Sequence, residues 1–207
     1  MSKSKEHWEK IYKTKNHKQV GWYQESPNIS IGLLSQINAQ PTQSIIDVGC
    51  GASVLVDKLV QQGYKNITLL DLSEEALSSI KTRLADKGNI PHYLSEDITK
   101  NIEFNNAFDI WHDRAVFHFL TNAKDREAYM ANLNQSLSPS GHAIISTFSL
   151  NGPSECSGLD VVQYDEKKIN CELPENIELL ESIVSTHIMP SGTEQEYMYF
   201  IIKHKNA

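Results

Sequence analysis

The 207-residue sequence is short of the features that define several classes of protein. It has three cysteines, Cys50, Cys156 and Cys171, an odd number with no Cys-x-x-Cys spacing. That argues against a disulfide framework or a structural zinc and fits a reducing cytoplasm. No apolar run approaches the length of a membrane span, and Met1 to Lys10 is polar and helix-prone, without the apolar stretch or cleavage site of a secretion signal. Positive charge is also scarce: 19 Lys and Arg against 26 Asp and Glu leave a net charge of -7. This counts against a nonspecific nucleic-acid binder, which carries a basic surface. There is no internal repeat and no low-complexity linker, and the length accommodates one domain with a substantial core.

What is present is an alternation. Short β-branched runs at 43–48 (QSIIDV), 66–71 (NITLLD), Ile90 to Leu94, 107–112 (AFDIWH) and 142–148 (HAIISTF) read as strands. Between them lie helical patterns at 53–62, at 74–86 behind a Ser73 cap, and at roughly 122–137, followed by a turn at 138–141 (SPSG). Strands separated by helices predict βαβ units and a parallel sheet. Two further β-rich runs, 177–188 and 194–203, flank Pro190-Ser191-Gly192 and predict a hairpin at the sheet edge. The expected fold is a doubly wound, Rossmann-like α/β sheet with an antiparallel end and helices on both faces.

In open α/β sheets, ligands bind beyond the carboxyl ends of the strands. The first such place is Ser44-Ile45-Ile46-Asp47-Val48-Gly49-Cys50-Gly51-Ala52-Ser53. Gly49 and Gly51 permit close backbone approach, and the helix that follows offers free N–H groups to an anion. A dinucleotide fingerprint needs Gly or Ala where Val54 stands, and Asp47 would repel a pyrophosphate. A zwitterionic amino acid resolves the conflict, with its carboxylate toward the helix and its ammonium toward Asp47. S-adenosylmethionine is such a ligand. Asp71 ends the second strand, where a carboxylate can take two ribose hydroxyls, and Asp97-Ile98 follows the third, placed for an adenine edge.

These residues resemble those of class I S-adenosylmethionine-dependent methyltransferases from about Ser44 to the C-terminus. The resemblance implies a seven-stranded sheet. It implies cofactor contacts from Asp47, Gly49, Cys50 and Gly51, from Asp71 and its neighbour Leu72, from Asp97 and Ile98, and from Trp22. It also places the end of the fourth strand, "WHDRAVFHFL", beside the transferable methyl group. Methyl transfer needs alignment of the acceptor, exclusion of water and, for a protonated acceptor, a base. Asp113 and His112 are the nearest candidate catalytic residues, with His118 a further one, and Arg114 is placed to pair with Asp113 and hold the loop. His112, Asp113 and His118 lack the spacing of a metal site, so no metal is expected.

Two flanking segments are expected to shape the acceptor pocket. Residues 1–40, with His7, Trp8, Tyr12, Trp22 and Tyr23, read as a helical lid on a cofactor-binding core at 41–207, the two making one methyltransferase domain. Residues 148–159, with Cys156, leave the fifth strand at the same edge and are too elaborate for a simple connection. The expected activity is methyl transfer to a small-molecule or protein side-chain acceptor in the cytoplasm, by a monomer or weak homodimer, away from nucleic acid and membrane. The W…Y…W pattern near the N-terminus is similar to that of protein lysine methyltransferases, which makes lysine methylation the first alternative. An NAD-dependent oxidoreductase and a non-catalytic cofactor-binding protein are the others.

Overall fold

The computed structural model describes residues 3–88, 91–104 and 107–205. Two helices open the chain, α1 (Lys3–Thr14) and α2 (Asn28–Gln36). An alternating segment follows: β1 (Ser44–Val48), α3 (Leu55–Gln61), β2 (Asn66–Asp71), α4 (Glu74–Leu84), β3 (His92–Ser95), β4 (Phe108–Arg114), α5 (Ala123–Ser136) and β5 (Leu137–Phe148). The chain then makes a small hairpin of β6 (Glu155–Cys156) and β7 (Leu159–Asp160), the helix α6 (Glu166–Glu172), and the long strands β8 (Ile177–Ile188) and β9 (Glu194–His204).

The main sheet has seven strands in the order β3-β2-β1-β4-β5-β9-β8. β1 to β5 run parallel, while β9 is antiparallel to both β5 and β8. The expected parallel sheet with an antiparallel hairpin is therefore the observed architecture. Alternate strand residues enter opposite cores, as the two-residue period of a strand requires. Ile45, Leu69, Ile110, Ile144 and Ile201 pack with Leu55, Leu59, Leu77 and Ile80 on one face. Ile46, Leu70, Trp111, Ile145 and Phe200 pack with Tyr129, Leu133 and Ile169 on the other. Each such buried apolar side chain contributes about 1.5–3 kcal/mol, so both faces drive the sheet's formation.

Caps set the helix starts. The Ser73 hydroxyl accepts from Ala76 N at 3.1 Å, opening α4 where the sequence places it. Asn122 caps α5 and Asp165 caps α6 in the same way. Several expectations need correction. Ile90, expected to open the third strand, lies outside the described residues, and β3 runs on to Ser95. The segment 138–141 is not a free turn between helix and strand but the first part of β5. Phe108 pairs with Leu137 and Ile110 with His142, so these residues bulge out between two rungs of one ladder. The β6–β7 hairpin and α6 were not foreseen, because two-residue strands and a seven-residue helix carry too little periodicity to read.

A candidate active site at the reversal of strand order

β1 has β2 on one side and β4 on the other, so the chain reverses direction across the sheet at β1. In open α/β sheets a ligand crevice forms beyond the carboxyl ends of the strands at such a reversal. The turn after β1 is built for close approach. Gly49 and Gly51 have φ of +61° and +53°, a region that a side chain occupies only at a cost. A Cβ on Gly49 would lie 1.9 Å from Val116 Cγ2, and one on Gly51 2.3 Å from the Tyr12 hydroxyl. Asp71, at the end of β2, fastens this turn: it accepts from Gly51 N at 2.7 Å and from Ser73 N at 2.8 Å. Burial raises its pKa to about 6 against the pull of those two N–H groups. Each carboxylate oxygen keeps a second lone pair for a ligand hydroxyl.

A cavity of about 530 Å³ opens above these strand ends. Asp71, Leu72, Asp97 and Ile98 line it on the β2–β3 side, and Arg114, Cys156 and Tyr197 on the β4–β9 side. Asp97 also closes its own turn, accepting from Thr99 N and Oγ1 at 3.0 and 2.7 Å. The cover is α1, whose Ser4, Trp8 and Tyr12, four residues apart and so on one helix face, all line the cavity. Trp8 stands edge-on to Trp22 and Phe119, with ring centroids 5.6 and 5.1 Å away. α1 is held to the start of α4: Glu9 accepts from Glu74 N at 2.7 Å, and Lys5 meets the Glu74 carboxylate at 2.7 Å. Cys156, from the elaborate segment after the fifth strand, does reach the cavity wall, where burial pushes its thiol up.

A second, much smaller cavity of about 50 Å³ adjoins the glycine turn on its other side. Asp47, Cys50, Gly51 and His112 line it, while Gly49, Trp22 and Arg114 line both cavities. Asp47 is not a free carboxylate waiting for an ammonium. Its Oδ1 lies 2.7 Å from His112 Nδ1, and His112 Nε2 lies 2.9 Å from the Ser30 hydroxyl on α2. All three are buried. His112, expected as a base, is thus a strut between β1, β4 and α2.

The other two expected bases face away from both cavities. Asp113 is fully buried and accepts from Val116 N at 2.8 Å, Phe117 N at 3.1 Å and the Tyr129 hydroxyl at 2.7 Å. Burial raises its pKa to about 7 in spite of these donors. The carboxylate clamps a turn in which Ala115 has φ of +72°, a conformation that non-glycine residues rarely hold. His118 is fully buried between Phe119 and Phe148; its Nδ1 accepts from Phe148 N at 3.2 Å, and burial lowers its pKa to about 3. Arg114 does not pair with Asp113. It donates to the Trp22 carbonyl at 3.0 Å and lies over the Tyr197 ring, 5.1 Å from its centroid. Among the described residues no group of His, Cys, Asp and Glu is gathered to hold a metal ion.

Sequence reasoning missed Ser30, Tyr197 and the cavity-facing role of Arg114. Tyr197 sits in an ordinary strand alternation and Ser30 in an ordinary helix, so neither carries a local signal. Arg114 follows an aspartate, and that adjacent opposite charge masks its contacts with Trp22 and Tyr197.

Residues 46–145 match the model of a methyltransferase domain. The chain is similar to EEF1A lysine methyltransferase 2 of Danio rerio, 27% identical over 159 residues covering 70% of this chain and 68% of that one. It is also similar to the ubiquinone biosynthesis O-methyltransferase of Rickettsia canadensis (strain McKiel), 26% identical over 132 residues, 64% of this chain and 54% of that one. With longer relatives the covered share falls to 14–17% of their length. A solved structure from work on the conversion of a disulfide bond into a thioacetal group during echinomycin biosynthesis superimposes with a TM-score of 0.81 at 17% identity, covering 99% of this chain and 94% of that one. The matched segment carries the glycine turn, Asp71, Asp97 and the end of β4, and the chain is a class I S-adenosylmethionine-dependent methyltransferase.

Proposed function

We propose that this enzyme methylates a small acceptor that enters beneath the α1 cover from the β6–β7 side. The observation that carries the reading is the aromatic cover itself: Trp8, Trp22 and Phe119 pack edge to face over a cavity already lined by Asp71 and Asp97. S-adenosylmethionine, once bound, supplies an electrophilic methyl group on a sulfonium sulfur. The residues fit that cofactor. Asp71 has spare lone pairs for ribose hydroxyls, Leu72 and Ile98 offer apolar walls to an adenine ring, and Asp97 lies beside them for its amino group. The glycine turn, where a Cβ would collide, suits the methionine end, with Cys50 at its centre and Asp47, steadied by His112, near by. Trp22 offers a ring face to a cation.

In this reading the chain's own work is alignment and exclusion of water. Asp113 acts by holding the Ala115 turn that presents Arg114 and Val116, and His118 by tying that turn to Phe148. Residues 1–40 act as a cover on the core formed by 41–207, in a cytoplasmic protein; no helix among the described residues is long and apolar enough to cross a membrane. Relatives act on protein lysines as well as on small molecules, going by their names, and the covered cavity favours the small molecule. The test is methyl release from labelled cofactor with pooled metabolites and with pooled protein extract as separate acceptors. Turnover with the metabolite pool alone supports the proposal, and turnover with the protein pool alone overturns it.

A further inference from the structure

Arg114 stands apart from the chain's other arginines. Arg83 pairs with Asp57 at 2.9 Å and Arg126 with Glu172 at 2.8 Å. Arg114 forms no salt bridge among the described residues, although it is partly buried. Its contacts are all with neutral groups: Nη1 donates to the Trp22 carbonyl, Nε to the Tyr199 hydroxyl at 3.4 Å, and the guanidinium lies over Tyr197. Nη2 is enclosed and has no hydrogen-bond partner. The neighbouring carboxylates are spoken for, Asp113 by its three donors and Asp47 by His112. Asp47 acts on Arg114 through its charge without touching it; covering a cation that has no contacting counter-charge is costly, and an unused enclosed donor adds to that cost. The residue also lines both cavities, where they meet at Trp22 and Gly49.

We infer that Arg114 is a carboxylate seat: in the ligand-bound enzyme its Nη2 donates to a carboxylate lying where the two cavities meet. The inference rests on reading the larger cavity as the cofactor and acceptor site. Two ligands bring this chemistry there, the methionyl end of the cofactor and an acidic acceptor. In the second case the acceptor belongs to the class of small carboxylic acids. A planar guanidinium already fixed by a carbonyl, a hydroxyl and a ring is pre-organised for such an anion.

The experiment titrates the full chain with S-adenosylhomocysteine and with its decarboxylated analogue S-adenosyl-3-thiopropylamine, in the wild type, Arg114→Gln and Arg114→Lys. Separately, it melts the S-adenosylhomocysteine-saturated proteins in acetate or acetamide. A wild-type preference for the carboxylate-bearing ligand of about tenfold or more, the worth of one hydrogen bond to a charged group, lost in Arg114→Gln, assigns the seat to the cofactor. A rise in melting temperature with acetate and not acetamide, absent in Arg114→Gln, assigns it to the acceptor. Neither effect depending on Arg114 overturns the inference. Should Arg114→Gln not fold, the wild type against Arg114→Lys decides: no ligand preference and no acetate effect in the wild type, or both unchanged in Arg114→Lys, overturns it. Failure of the wild type to bind either adenosyl ligand would instead sink the reading of the cavity.

Discussion

Asp47 and His112 are paired rungs of adjacent parallel strands, and their side chains meet at 2.7 Å. With a carboxylate as acceptor, Nδ1 carries the hydrogen, and Nε2 is left to the Ser30 hydroxyl. Replacing the imidazole strands a buried carboxylate and a buried hydroxyl at once. His112→Ala is therefore expected to lower stability by about 1–3 kcal/mol or more, read as a shifted urea midpoint. An unchanged midpoint would show the strut to be idle.

Asp71 sets a pH dependence on ligand binding. Burial raises its carboxyl pKa to about 6, and in the proposed ribose contact the hydroxyls donate only to the ionised form without competition from its own proton. S-adenosylhomocysteine affinity is expected to be flat above pH 7 and to weaken as the pH falls through 6. Asp71→Asn is expected to bind more weakly throughout and to lose that slope. Calorimetry at pH 5, 6, 7 and 8 reads both.

The same burial has an effect on folding of opposite sense. Asp71 and Asp113 hold their protons in the folded chain up to about pH 6 and 7, above the unfolded carboxyl value of 3.8. The folded chain binds more protons in that window, so stability contributed by these two groups falls as pH rises from about 4 through 7 and is level beyond it. Denaturant titrations of ligand-free wild type and Asp113→Asn across this range are expected to show the decline shallower in the variant.

Ala115 carries strain that Asp113 holds in place. A non-glycine residue in the left-handed region costs about 1–2 kcal/mol, while glycine there loses more entropy on folding. Ala115→Gly is expected to raise stability by up to about 1 kcal/mol. Gly51→Ala, which adds the same strain and drives a methyl group to 2.3 Å from the Tyr12 hydroxyl, is expected to lower stability and to cut cofactor affinity. Melting curves of the two variants should move in opposite directions, and movement in the same direction would refute the account.

The sheet was legible because its signals are local: β-branched runs of five to seven residues, a serine cap at 73, and two glycines behind an acid. So too was the placement of Gly49, Asp71, Leu72, Asp97 and Ile98 around one cavity, since the end of each strand dictates it. What the residues do to one another was not legible. Asp113 looked like a base because it follows the strand beside the chemistry, yet its carboxylate turns inward to Tyr129, sixteen positions along on another element. Asp47 looked free because its partner His112 is 65 positions distant, and His112's other partner, Ser30, is 82 positions from the histidine. Pairings of that separation leave no trace in spacing.

The hold of α1 on α4 has a kinetic side. Glu74 is largely exposed, and its bridge to Lys5 is of the kind that salt screens. With α1 as the proposed cover, a ligand held under Trp8 and Tyr12 is expected to escape faster as ionic strength rises, because salt loosens that clasp without touching the cavity floor.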